Sequence, residues 1–354
     1  MKKKTLLFLL TMTGALAFTA CGGTGDTAAV TETEDGTEEQ GTAAEGSLTY
    51  PLTLKVGYST GEDDPRGVAL ASFKKEVEEA TGGDILVEIH PSGELGSDSD
   101  LIAGEINGTV DMTVSSAGNY AVYATRMGVS ALPFLFGDFE QAWAFIDSDT
   151  QKSVETDLEQ YNIHVLSYFD NGFRCVTTTA AAGPVEKAAD MNGLNIRTPD
   201  NQILMATMSA LGAEPKSYPF TELKDAIKNG EFDAQENPIP VIYNSALYEV
   251  QDYLAITNHS YDAMPLTIRQ DIWTGLTPEY QEVINTAAKN ASDENRSIVK
   301  QQTEDLVSSL EEAGMTVTYP DLNEFRAATS GVVNVFADIY GEELTQKVKE
   351  LYTE

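Results

Sequence analysis

Basic side chains are scarce in this 354-residue sequence: 22 lysines and arginines stand against 56 aspartates and glutamates, for a formal net charge of −34. Beyond Lys2, Lys3 and Lys4 at the N-terminus, no cluster of Lys or Arg interrupts the excess of acid, which excludes the footprint that nucleic-acid binding requires and argues against direct attraction to anionic lipid headgroups. Histidine is as rare. His90, His164 and His259 are widely spaced, and G-x-S-x-G, H-E-x-x-H, P-loop and G-x-G-x-x-G patterns are all missing. No catalytic constellation follows, so the reading is a protein that is not an enzyme and needs neither cofactor nor metal. Glu62-Asp63-Asp64 is the one acidic triplet with calcium-binding chemistry, and a solvated loop is its commoner outcome. Only two cysteines occur, Cys21 and Cys175. Cys175, beside Phe173 and Val176, reads as a small buried hydrophobe without chemistry.

Long apolar runs are also missing. The stretch from Thr5 to Ala17, preceded by Lys2, Lys3 and Lys4, is shorter than the roughly 20 residues that span a bilayer, and it reads as a secretory signal over residues 1–20. Phe18-Thr19-Ala20-Cys21 resembles the bacterial lipobox, with Phe18 where an aliphatic is usual, and makes Cys21 the lipidation site. The alternative is a soluble secreted protein in which Cys21 is incidental. Residues 21–49 then form a tether: Gly22 to Thr49 hold seven carboxylates and no base, too little apolar surface to offset ordering entropy. Such a chain spans roughly 30 Å root-mean-square. Membrane contact is expected through this anchor alone.

The folded body from Tyr50 onward is long enough for two lobes. Strand-like and helix-like periods alternate, as in α/β folds. Leu52-Thr53-Leu54-Lys55-Val56 alternates as a strand; Val68, Leu70, Ala71, Phe73 and Val77 fall at helical spacing; Ile85-Leu86-Val87-Glu88-Ile89 returns as a strand. Two N-G-x-apolar-D echoes, Asn107 to Asp111 and Asn229 to Asp233, each follow a helix-like run and precede a polar segment, Ser115 to Asn119 and Gln235 to Pro238. Thr277-Pro278-Glu279 is a helix start, and the pattern runs to Ala313-Gly314, long enough to reach along both lobes. A strand from Met315 to Tyr319 and a final helix near Leu322 to Tyr340 complete the reading.

Seven arginines occur in the chain, and two of them fall in strand-like settings. In Leu194-Asn195-Ile196-Arg197-Thr198-Pro199, alternation puts Leu194 and Ile196 on one face and Asn195 and Arg197 on the other. Pro199 ends the ladder, which places Arg197 near the carboxyl edge where open α/β sheets bind ligands. Its planar fork suits a carboxylate; an internal acid is the rival partner. Arg174 follows Asp170-Asn171-Gly172, a turn that leaves open an exposed side chain.

These residues resemble the extracytoplasmic solute-binding subunits of tripartite ATP-independent periplasmic (TRAP) transporters. The resemblance covers about residues 52–345 and rests on Pro91-Ser92-Gly93-Glu94-Leu95-Gly96, Leu132-Pro133-Phe134-Leu135-Phe136, Asn171-Gly172-Phe173-Arg174, Gly193-Leu194-Asn195-Ile196-Arg197, Tyr218-Pro219-Phe220-Thr221-Glu222, Gln235-Glu236-Asn237-Pro238 and Tyr248-Glu249-Val250-Gln251-Asp252-Tyr253. It implies a two-lobed α/β periplasmic-binding-protein-like fold. Lobe I is residues 50–171 with about 263–302, lobe II is 172–262 with about 303–354, and a long helix spans both. It further implies capture of a small carboxylate and its delivery to the small and large TRAP membrane subunits. By the same resemblance Arg197 is the carboxylate clamp, Arg174 a second arginine near the ligand, Asn237 a hydrogen-bonding partner and Phe220 an apolar wall, with Thr60, Asp98, Ser115, Ser116 and Asn119 as candidates from lobe I. A receptor of the same fold serving a membrane sensor, and more distantly a tethered hydrolase, stay open. Dicarboxylates, sugar acids and 2-oxo acids are not told apart.

Overall fold

The computed structural model describes residues 48–352. The expected signal segment, Cys21 and all but the last two residues of the expected tether lie outside the described residues. Among the described residues, no helix is long and apolar enough to cross a membrane.

Among the described residues nine strands form one sheet: β1 (Leu52–Gly57), β2 (Ile85–His90), β3 (Met112–Val114), β4 (Ile163–Thr178), β5 (Asn195–Thr198), β6 (Glu214–Ser217), β7 (Ala234–Pro238), β8 (Tyr253–Arg269) and β9 (Thr316–Thr318). Their order is β2-β1-β3-β8-β4-β7-β5-β6, with β9 alongside β8. The two long strands β4 and β8 run antiparallel from Ile163 opposite Arg269 to Thr178 opposite Tyr253. β3 joins the carboxyl half of β8, at Leu266 to Ile268, whereas β7 joins the carboxyl half of β4, at Arg174 to Thr178. Two sub-sheets therefore share one central ribbon, and the fold is two-lobed. The ribbon is irregular where they meet, with a register shift between Asp170 and Gly172.

Each side has a core of its own, and a further cluster that includes Tyr120, Phe145, Ile203 and Phe336 draws on both. Leu54, Val56, Phe73, Met112, Leu266 and Ile284 pack around β1 to β3; Val176, Ile196, Met208 and Phe325 cover one part of the other sub-sheet, and Leu223, Ile227, Leu254 and Leu310 another. The helix Pro278–Glu312 supplies Ile284, Ala287, Ala288 and Ala291 to the first core and Leu310 to the last, so it runs along both. Apolar burial at roughly 25 cal/mol per Å² is what holds such a helix in place. It is also bonded to the ribbon: Ser167 Oγ donates to the Ala288 carbonyl at 3.0 Å, and Asn295 Oδ1 accepts from the Asp170 amide.

The β1–helix–β2 unit forms, with the helix at Pro65–Ala80, one turn earlier than its apolar spacing indicates. Val68 and Ala71 are exposed and Ala69 is buried instead, because the buried stripe runs through Arg66, Ala69, Leu70, Phe73 and Val77 at three- and four-residue spacing. The N-G-x-apolar-D echo is structural. Gly108 and Gly230 are both left-handed at helix ends, and the following aspartates bind the neighbouring strand alike: Asp111 Oδ2 accepts from Lys55 N at 3.0 Å, and Asp233 Oδ2 from Asn195 N at 3.2 Å. The last helix differs from expectation. It is two helices, Leu322–Thr329 and Val332–Leu351, the second with non-helical backbone at Gly341.

Asp170 sits at one of the ribbon's three register shifts and is 1% exposed, accepting from Trp143 Nε1 at 2.7 Å and from the Tyr261 hydroxyl. Burial pushes its carboxyl up from 3.8 to about 6 despite those two donors. The native state therefore binds a proton that the unfolded chain has released, so this group's contribution is fully present below the unfolded value of 3.8 and is lost as pH rises through about 6. Asp170→Asn is expected to remove that slope. Urea unfolding at intervals from pH 4 to 7 checks it: the variant should gain on the wild type as pH rises, and parallel profiles would refute the assignment.

Candidate functional site

Three polar segments converge where the sub-sheets meet: the end of β3 with the short helix Ala117–Tyr120, the end of β5 with the start of the helix Phe220–Lys228, and the end of β7. They line a shared cavity. A second cleft shares Asp98, Asn119, Arg197, Pro199 and Phe220 with it and extends past Ser217 and Tyr218. The approach is close at Gly118, where a Cβ would lie 1.8 Å from Asn201 Nδ2. Only glycine permits that contact.

Arg197 lines both spaces and is 2% exposed. Its Nε donates to the Tyr218 carbonyl at 2.8 Å, and its guanidinium carbon lies 5.9 Å from the centre of the Phe220 ring. Among the described residues no carboxylate lies within ion-pair distance of it, and no acceptor is assigned to its two terminal nitrogens. Burial pushes the group down to about 10, the more distant Glu236 and Asp98 only partly offsetting this and Arg174 adding to it. A buried cation without a counter-ion is costly, and here its free donors face a cavity.

Arg174 is the opposite case, since the expected turn before it is absent and the strand runs through. The residue is 2% exposed, and every nitrogen is engaged: Nε and one terminal nitrogen with Glu236, the other with Asp262, and further bonds to the Glu236 carbonyl at 2.7 Å and Asn237 Oδ1 at 3.2 Å. Burial alone would lower its pKa, but Glu236 and Asp262 raise it above the ordinary value. It lines the cavity as a neutralised floor.

Asn237 and Phe220 also line the cavity. Asn237 is held on both sides, donating to Gln235 Oε1 and accepting from Arg174. From the first sub-sheet come Thr60, Asp98, Ser116 and Asn119. Thr60 Oγ1 and Asn119 Oδ1 are buried with no hydrogen-bond partner among the described residues, which costs free energy unless a ligand supplies one. Ser116 donates to Asp262. Ser115 is placed differently: its hydroxyl bonds Thr113 at 2.7 Å and it does not line the cavity, because its neighbour Ser116 takes the facing position.

Several lining residues were not anticipated. Arg66, 3% exposed, is clasped by Asp64 through Nε at 2.7 Å and Nη2 at 3.2 Å. Its signal lay in the acidic triplet, whose last member Asp64 caps the first helix and pairs inward, while Glu62 and Asp63 are exposed. Asp262 and Asn171 bond each other at 2.8 Å, and they line the cavity only because the ribbon is irregular there. Cys175 is buried as expected, its thiol pushed up to about 11 by burial. His259 lies against Glu236 at 3.3 Å behind the floor, and His164 stacks on Trp273. Among the described residues no cluster could hold a metal ion.

Comparison with known proteins agrees with this geometry. Residues 56–338 match the family model described as bacterial extracellular solute-binding protein, family 7. The 2,3-diketo-L-gulonate-binding periplasmic protein YiaO of Escherichia coli K12 is 31% identical over 294 residues, covering 83% of this chain and 88% of YiaO. Among solved structures, the sugar acid binding protein DctPAm of Advenella mimigardefordensis in complex with galactonate superposes with a TM-score of 0.82 at 29% identity, covering 86% of this chain and 98% of that one. A TRAP periplasmic solute-binding protein of Polaromonas bound to D-erythronate gives 0.80 at 30% identity, with 84% and 97% covered. The chain belongs to the family 7 extracellular solute-binding proteins, the solute-binding subunits of TRAP transporters.

Proposed function

We propose that this protein is an extracytoplasmic lipoprotein that captures a small organic acid by lobe closure and passes it to the small and large membrane subunits of a TRAP-type permease. The observation that carries the reading is Arg197, a buried guanidinium with one protein hydrogen bond and its fork facing a cavity. A carboxylate there makes two parallel charge-assisted bonds and supplies the missing counter-ion. Phe220 and Asn237 flank it, and Thr60, Asp98, Ser116 and Asn119 meet the ligand from the opposite side. Arg174 holds Asn237 and the floor in place.

Lobe I is taken as residues 50–171 with about 263–302 and lobe II as 172–262 with about 303–354. The register shift at Asp170 and Gly172, opposite Ala263 and Asp262, supports that division. Ligand bound first to the Arg197 side recruits the other lobe, shifting an open–closed equilibrium by its differential affinity. Expelling water then strengthens the ionic contact. Lipidation at Cys21 and an acidic tether to residue 49 keep the receptor at the membrane surface; the apolar stretch and small residues before Cys21 support this.

A thermal-shift and calorimetric screen of the purified protein against organic acids tests the reading, because a ligand that binds only the native state raises the melting temperature. Carboxylates should shift it, whereas the corresponding neutral alcohols and amides should not. Equal shifts from the neutral compounds would sink the proposal.

A further inference from the structure

The charges around the cavity do not balance pairwise, and what is left over selects among acids. Arg66 is engaged by Asp64, and Arg174 by Glu236 and Asp262. Among the described residues two groups remain, the Arg197 cation on β5 and the Asp98 carboxylate at the start of the helix Asp98–Asn107, which line the same ligand space from different sub-sheets. Asp98 accepts one side-chain hydrogen bond, from Ser59 Oγ at 3.3 Å. Beside it Asn119 Oδ1, in a residue 5% exposed, has no donor. This wall consists of acceptors waiting for donors.

Resting on the reading that a ligand carboxylate sits on Arg197, we infer that Asp98 is a charge filter. It takes a hydroxyl of the ligand and repels a second carboxylate, so the site accepts polyhydroxylated monocarboxylates and rejects dicarboxylates. A dicarboxylate gripped by Arg197 at one end meets Asp98 at the other, and the nearest cation there, Arg66, already has both its Nε and Nη2 on Asp64. Two anions then face each other in a space from which water is excluded. A hydroxylated chain instead gives one O–H to Asp98, another to Asn119 Oδ1, and accepts from or donates to the unpartnered Thr60 Oγ1.

Matched pairs isolate the effect, because each differs only in whether the terminal group is CH₂OH or carboxylate. Calorimetric titration of the purified protein with D-erythronate against meso-tartrate, and with galactonate against galactarate, is expected to favour the monoacid by about a hundredfold or more. Asp98→Asn, nearly isosteric at the first turn of the helix Asp98–Asn107, should narrow that ratio at least tenfold through a gain for the dicarboxylate. Dicarboxylates binding as tightly as their partners in the wild type, or a ratio untouched by the substitution, would overturn the filter while leaving the Arg197 reading intact. A hydroxyl-free 2-oxo acid binding more tightly than both monoacids would do the same. Failure of every acid would overturn the Arg197 reading itself. The wild-type ratio stands as a test even if the variant does not fold.

Discussion

Arg197→Met is expected to abolish ligand binding while leaving the ligand-free protein as stable as before or more so. Each charge-assisted hydrogen bond contributes roughly 1.5–3 kcal/mol, so losing a pair of them weakens affinity by about a hundredfold or more. The same side chain costs stability in the empty protein: it is 2% exposed, has no ionic partner among the described residues, and burial pulls its pKa down to about 10. A group whose charged form is disfavoured by folding subtracts from stability wherever that form prevails. Methionine fills much of the space without the charge. Calorimetry gives the affinity and urea unfolding the stability. Binding that survives unchanged, or a variant markedly less stable than the wild type, would show that Arg197 supports the fold instead of gripping a ligand.

Much of this arrangement was legible in the sequence, for identifiable reasons. The strand Asn195–Thr198 and the inward aim of Arg197 follow from alternation and from Pro199, both local rules. The 35-residue helix follows from its cap and sustained pattern. What stayed hidden is non-local. Nothing near Arg174 says that Glu236, 62 positions on, and Asp262, 88 positions on, will surround it, because that contact is made by strand pairing. Arg66 was obscured by its neighbours: an acidic triplet reads as solvated, yet Asp64 turns inward once the proline after it starts a helix. Ser115 and Ser116 were indistinguishable in type, and only the end of β3 at Val114 decides which one faces the cavity.

The two strand-borne arginines, alike in the sequence, should behave oppositely on mutation. Arg174→Met strands Glu236, 0% exposed, and Asp262, 3% exposed, without their cation. Removing one partner of a buried ionic network costs about 3–5 kcal/mol, a fall of roughly 10 °C in melting temperature for a chain this long. Ser116, Asn171 and His259 still touch those acids, but a hydroxyl, an amide and one imidazole do not replace a guanidinium bonded through every nitrogen. Glu236→Leu in the same background should restore part of the loss, since an apolar pair avoids the desolvation that the single variant leaves uncompensated. Acid titration gives an independent check. Burial alone would raise the Glu236 carboxyl, but Arg174 with His259 holds it below the usual range. Its contribution is therefore present above the ordinary value of 4.5 and lost as pH falls through the depressed one, so Glu236→Gln should flatten the acid limb of the wild-type stability profile. Should Arg174→Met unfold at the wild-type urea midpoint and lose only ligand binding, the network would be incidental and Arg174 a second clamp.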